Sequence, residues 1–216
     1  MSTITRQSHL RYPLSDLLAS SGCVRVLRAL LIYGGALSAA QLAKDSGLTP
    51  QGIRKVLETL MTQGIVTALG QPRSQVFTVA ERHPFTGPLK ALFSFERSQW
   101  EELQHKLRAL LNKNKAVRAA WLYGSVARGE DGPKSDIDIT VVMDSESTAA
   151  DLQASLMGLE DQFNVNFSLI ALTPEDVAGQ AQDSTWWASV IRDAKILKGA
   201  SPQKEFSRCA QKVHSA

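Results

Sequence analysis

The chain has 216 residues, 44% hydrophobic and 21% charged, which is ordinary globular usage and excludes a disordered chain. At roughly 100–200 residues per domain it holds one large domain or two small ones, and its apolar runs fall far short of the roughly 20 residues that cross a bilayer. The net charge of +3 is uneven: residues 1–85 hold nine Lys/Arg against four Asp/Glu, and residues 86–216 fifteen against seventeen, so the basic excess marks either a polyanion partner or a solvated basic face in the first third.

The opening Met1-Ser2-Thr3-Ile4-Thr5-Arg6 has no apolar signal core, so neither export nor a membrane partner is expected. A short helix is predicted over Leu14 to Ser20 and a second over Cys23 to Tyr33, where Val24, Leu27 and Leu31 recur at helical spacing. Gly34-Gly35 stops it. Ser38-Ala39-Ala40-Gln41 is a capping box for a helix ending near Ser46-Gly47. Thr49-Pro50 is a fresh N-cap with proline at the first helical position. Ile53, Val56, Leu57 and Leu60 then form one apolar stripe, and Gly64 ends the helix. A strand over 65–69, a turn over 70–75 and a return strand over 76–79 follow.

Three helices and a β-hairpin make a winged helix, and residues 14–80 resemble the winged helix-turn-helix domains of bacterial transcription regulators. The resemblance implies that Thr49 to Gln63 is the recognition helix. Gln51 and Arg54 would read base edges of double-stranded DNA, and Lys55 and Arg73 would meet phosphate or the minor groove. The alternative is a protein-docking module in which Arg54, Lys55 and Arg73 are solvated charges.

Pro84, Gly87 and Pro88 punctuate the connector. A long helix, Leu89 to Asn112, carries Leu89, Leu92, Phe93, Trp100, Leu103, Leu107 and Leu110 on one side. That stripe is a homodimer seam or a face packed on the next domain.

Ala119 to Tyr123 reads as a buried strand running into Gly124-Ser125-Val126-Ala127-Arg128-Gly129. Ten residues separate Ser125 from Asp136, which lies in a second strand, Ser135 to Val142. A strand entering Gly-Ser lets backbone N–H groups approach an anion. Asp136 and Asp138, two apart on a strand, share a face, and paired carboxylates repel unless a cation lies between them. Mg²⁺ prefers oxygen ligands and substrate phosphates. A phosphate cradle beside a carboxylate pair describes metal-dependent phosphoryl or nucleotidyl transfer.

These two motifs together resemble the signature of the polymerase-beta-like nucleotidyltransferase superfamily, closest to its minimal branch, over about residues 100–199. The resemblance implies that Gly124 and Ser125 bind an NTP, ATP being favoured, and that Asp136 and Asp138 hold Mg²⁺ in a two-metal site. Arg128 either neutralises phosphate or braces the loop against an acidic neighbour. The family pattern has a third carboxylate on a later strand. Here that strand reads Asn164-Val165-Asn166-Phe167-Ser168-Leu169-Ile170, with Asn166 aligned and Asn164 second. An amide oxygen can coordinate a metal but cannot act as a base near neutral pH.

Thr148 to Phe163 is expected as a crossover helix, Thr173-Pro174-Glu175-Asp176 as a helix start, Trp186, Trp187, Val190 and Ile191 as a core-facing helix, and Ala194 to Leu197 as a closing strand. His9, His83, His105 and His214 are scattered, giving no zinc site. Cys23 and Cys209 are far apart, so neither a disulfide framework nor a Cys-x-x-Cys site is available and a reducing cytoplasm fits. The expected class is α+β / α/β: an N-terminal winged helix (1–83), a linker and connecting helix (84–115), a C-terminal nucleotidyltransferase fold with a small mixed sheet flanked by helices (116–200), and a polar tail (201–216). The expected function is DNA binding joined to transfer of NMP from NTP to a hydroxyl acceptor. The minimal branch implies a partner protein such as a HEPN toxin. The alternative is a catalytically weak or inactive nucleotide-sensing regulator.

Overall fold

The computed structural model describes residues 8–72, 74–144, 149–180 and 184–213. These form two units that divide between Ser98 and Gln99.

In the first unit, α1 (Leu14–Leu17) is shorter than the predicted helix to Ser20. The reason is local: Ser20 caps α2 (Ser21–Tyr33), its hydroxyl accepting from Cys23 N at 3.2 Å. A two-residue strand β1 (Leu37–Ser38) precedes α3 (Ala39–Ser46). The predicted capping box is present, with Gln41 N donating to Ser38 Oγ at 3.2 Å and Ser38 N to Gln41 Oε1 at 3.2 Å. Gly47 closes α3 in the left-handed region at φ 64°. Helix α4 (Pro50–Thr62) is capped by Thr49, which accepts from Gly52 N at 3.1 Å. Strands β2 (Val66–Leu69) and β3 (Val76–Val79) form the hairpin, and β1 pairs with the outer side of β3. Leu27, Leu30, Leu42, Ile53, Leu57, Leu60 and Ile65 fill the core. Gly22 lets α2 and α4 close up: a Cβ there would lie 3.0 Å from Val56 Cγ2. This is a winged-helix arrangement, with α3 and α4 as its helix-turn-helix.

Helix α5 runs over Thr86–Lys113. Its predicted apolar stripe divides. Leu89 and Phe93 enter the first unit's core, and Leu103 and Leu107 the second's, joined there by Leu111. Leu110 is partly buried against the second core, whereas Leu92 and Trp100 are exposed.

The second unit is built on a four-stranded sheet of order β6-β5-β4-β7, with β4 (Val117–Tyr123), β5 (Ile137–Met143), β6 (Phe167–Leu172) and β7 (Lys195–Lys198). β5 pairs antiparallel with β4 and parallel with β6, so the sheet is mixed. The parallel pair needs a crossover, supplied by α7 (Ala149–Phe163); Thr148, its expected start, and His214 lie outside the described residues. One sheet face packs on Leu103, Leu107, Leu152 and Leu156. The other packs Ala119, Trp121, Tyr123 and Val142 against Val177, Trp187 and Val190. Those last three come from α8 (Pro174–Ala178) and α9 (Thr185–Asp193). Trp187 is the core residue expected of α9, and Trp186 is only partly buried. The class is mixed α+β, small sheets flanked by helices.

The stretch read as a polar tail is instead a helix, α10 (Pro202–Val213). It docks through Phe206 and the buried Cys209 on the Trp187 cluster. Glu205 is buried with it, paired to Arg118 at 3.2 Å and Arg208 at 3.4 Å. A buried carboxylate is tolerated only when paired. Arg118→Ala leaves Glu205 with the more exposed Arg208 alone. It is expected to cost about 1–3 kcal/mol, read as a lower urea midpoint for the second unit.

Candidate functional site

At the end of β4 the chain enters α6 (Gly124–Arg128), a single turn closed by Gly129 in the left-handed region at φ 72°. Gly124 itself has φ 74°, a conformation side chains disfavour. Space imposes the same choice, because a Cβ on Gly124 would overlap Asp138 Oδ2. The Gly-Ser motif and the Asp-x-Asp motif are therefore in direct contact: Asp138 lies against the backbone of the turn. The cause is the register of the sheet, in which Tyr123 sits opposite Asp138, and Gly124 follows Tyr123.

Asp138 alternates with the buried Ile137 and Ile139, so the apolar neighbours face one way and the carboxylate the other. Asp136 is exposed, and Asp138 is half-buried. Partial burial pushes the Asp138 carboxyl above its ordinary range. The Ser168 hydroxyl, donating to it, works against that shift; Asp136 adds to it, and Arg128 opposes it.

The neighbouring strand brings up a residue that the sequence reading did not single out. Ser168, not Asn166, lies opposite Asp138 on β6. Asn166 is exposed and precedes the strand, its backbone carbonyl accepting from Ile137 N at 2.8 Å. Asn164, the second choice, takes φ 53° in the turn before it. Asn166, Ser168 and Ile170 are two apart, so alternation alone could not choose among them. Among the described residues no group of three His, Cys, Asp or Glu is placed to hold a metal. The oxygen donors at hand, Asp136 and Asp138, sense each other's charge and match the hard-cation preference of Mg²⁺.

Arg128 braces. Its Nη1 donates to Asp193 Oδ2 at 2.5 Å and its Nε to Glu130 Oε2 at 2.6 Å. Asp193 also accepts from Arg192 Nε at 2.7 Å and Nη2 at 3.1 Å. Nothing in sequence spacing pointed to Asp193 or to Ser168. Near the same turn, Trp186 Nε1 donates to Tyr123 Oη at 3.3 Å, their rings edge to face.

In the first unit, Gln51, Arg54 and Lys55 are all exposed on α4. Gln51 lies in the first turn. Arg54 lines a concavity with Ser38, Met61 and Gln75. Arg73, the expected wing contact, lies outside the described residues.

Residues 105–184 match the family model for polymerase beta, nucleotidyltransferase. That segment holds β4 to β6 with Gly124, Ser125, Asp136 and Asp138, and it is similar to the nucleotidyltransferase family. A search of curated proteins gives no match. Among solved structures, the chain is similar to a toxin–antitoxin crystallised with AMP-PNP (18% identity, TM-score 0.37, over 52% of this chain and 87% of that one). It is also similar to a tri-AMPylated Shewanella oneidensis HEPN toxin in complex with an MNT antitoxin (16%, TM-score 0.34, over 53% and 87%). A MarR family transcriptional regulator from Silicibacter pomeroyi is similar at 20% identity and TM-score 0.30, over 41% of this chain and 62% of that one. Similarity at this level says nothing of activity. Among the described residues no helix is long and apolar enough to cross a membrane.

The Asp193 carboxyl is held down at about 2 from an ordinary 3.8, first by the Arg192 hydrogen bonds and then by Arg128, against the cost of burial. A depressed folded value stabilises the fold above the unfolded value. This contribution is full above about pH 4 and is lost as pH falls towards about 2. Asp193→Asn is expected to lower the urea midpoint at neutral pH and to make its decline through that acid window shallower than in wild type.

Proposed function

We propose that the chain binds DNA through its winged helix and transfers NMP from an NTP, ATP being favoured, to a hydroxyl acceptor. The observation that carries the transferase reading is the contact of Asp138 with Gly124, which joins a carboxylate pair to a glycine-serine turn. In this reading Gly124 and Ser125 face the triphosphate, with Arg128 in the same turn. Asp136 and Asp138 would hold Mg²⁺, which when bound offsets charge on the phosphates. The acceptor oxygen forms a bond to the α-phosphorus, the bond from that phosphorus to the pyrophosphate oxygen breaks, and pyrophosphate leaves. The hydroxyl proton goes to solvent, since neither Ser168 nor Asn166 is basic near neutral pH. By the sequence resemblance to the minimal branch, the acceptor is a hydroxyl on a partner protein such as a HEPN toxin.

The test is label transfer from α-phosphate-labelled NTPs with Mg²⁺ in host lysate. Wild type is expected to label one species and Asp138→Ala none. Label that survives in Asp138→Ala would remove Asp138 from the chemistry.

Ser168 opposite Asp138 favours a second reading, a nucleotide-sensing regulator with little turnover. Gln51 and Arg54 would then read base edges, while Lys55 and Arg73 meet the backbone. A ligand shifts DNA affinity only by binding two states unequally. Gel shifts on operator DNA are expected to show an affinity that changes with Mg-ATP and falls steeply with salt. Identical curves with and without Mg-ATP would defeat the sensing reading, and a flat salt response would point to a protein-docking winged helix.

A further inference from the structure

We infer that Asp193 is a positioning residue of the nucleotide site: from 65 residues away in sequence, its carboxylate holds Arg128 and so keeps the Gly124–Arg128 turn set against Asp138. This rests on the nucleotide-binding reading above.

Helix α6 is five residues long. One turn cannot hold itself, because nucleating a helix fixes several residues for a single hydrogen bond. Its order must come from its surroundings. Locally it has the Gly129 cap and a return bond from Glu130 N to Ser125 O at 2.9 Å. Val126 and Ala127 pack on the second unit's core, and the long-range polar tie is Arg128 to Asp193. Asp193 ends α9 and is buried, so its charge requires partners. Of its two arginines, Arg192 belongs to α9 itself, with its side chain 68% exposed. Arg128 alone of the two comes from α6. A guanidinium forks onto two acceptors in a fixed plane, which orients as well as attracts. Arg128 uses that fork on Glu130 and Asp193, so its charge is spent on two acids and its role is to hold the turn. Displacements of under an ångström in groups that face a reacting phosphate are costly.

This assignment differs in sign from direct phosphate binding by Arg128. Were Arg128 a phosphate ligand, removing its acid neighbour would free it and tighten binding. As a brace, it works only with Asp193 in place.

The experiment is calorimetric titration of the full chain with each of the four common Mg-NTPs. It uses wild type, Asp193→Asn, Arg128→Lys and the double variant, with amide hydrogen exchange on each. Asp193→Asn is expected to weaken binding by about tenfold, as loss of a supporting residue around a site commonly does. Arg128→Lys keeps the charge but loses the fork. It is expected to weaken binding similarly, and the double variant no further, because the two act as one unit. Exchange should quicken over residues 125–128 and stay unchanged in β4. Arg128 is on the surface, so if Asp193→Asn fails to fold, Arg128→Lys still decides: weaker binding with faster exchange over 125–128 marks a brace, and weaker binding with unchanged exchange marks a direct phosphate ligand and overturns the proposal. Unchanged or tighter binding in Asp193→Asn would overturn the proposal, as would additive losses in the double variant. Faster exchange with unaltered affinity would reduce the ion pair to a structural contact and overturn it too. A wild type that binds no Mg-NTP would overturn the underlying nucleotide reading, a result distinct from binding that ignores Asp193.

Discussion

The site depends on one close approach, that of the Asp138 carboxylate to the backbone of Gly124. Three constraints meet there. The β4–β5 register places Tyr123 opposite Asp138, so the residue after Tyr123 must pass over the carboxylate. The chain turns at that residue with φ 74°. A side chain would occupy the space Asp138 Oδ2 already holds. Only glycine meets all three. The same approach leaves Asp138 half-buried beside Asp136, which is why its carboxyl is pushed up in the protein alone. A divalent cation at that place would reverse the shift, since an opposite charge favours the ionised form.

What could be read in the sequence was what is local. The Ser38–Gln41 box and the Thr49–Pro50 cap each satisfy a helix end within four residues, and both stand where expected. The Gly-Ser and Asp-x-Asp motifs were legible for the same reason. Ser168 was not. Alternation puts Asn166, Ser168 and Ile170 on one face, and only pairing with β5 selects which meets Asp138. Helix α10 was hidden differently. Its buried face holds Glu205 alongside Phe206 and Cys209, so a charged residue stands where an apolar one would have completed the helical stripe. The Arg118 that makes this burial possible comes from the far side of the second unit's sequence, on β4.

Arg128 shows the limit from the other direction. Glu130 is two residues away and visible to any local reading, yet an ion pair at that spacing, with Glu130 largely exposed, contributes little. The partner with structural consequence is Asp193, which the sequence offers only as one acid among many. It becomes distinctive when the fold buries it between two arginines. The second unit thus closes on itself through paired buried carboxylates, Asp193 at the turn and Glu205 on α10.

If the chain is a transferase as proposed, the lack of an acid at Asn166 and Ser168 would bear on rate more than on binding. A positioned general base contributes about 10²–10⁴-fold to a proton transfer. Holding the reacting groups in line, and placing fixed charge at the phosphates, contributes as much or more. In the proposed reading, a serine at this place would forgo the first contribution and keep the second, since Gly124, Ser125, Asp136 and Asp138 are all present. Ser168 also gives Asp138 a hydrogen-bond donor. Two carboxylates then share the site's negative charge in place of three, which lowers its pull on a divalent cation while easing the repulsion between them. In the proposed reading, a site built this way would bind a triphosphate and turn it over slowly. That combination serves a slow, single modification of a partner as well as it serves a sensor, and the acceptor's own acidity would decide between them.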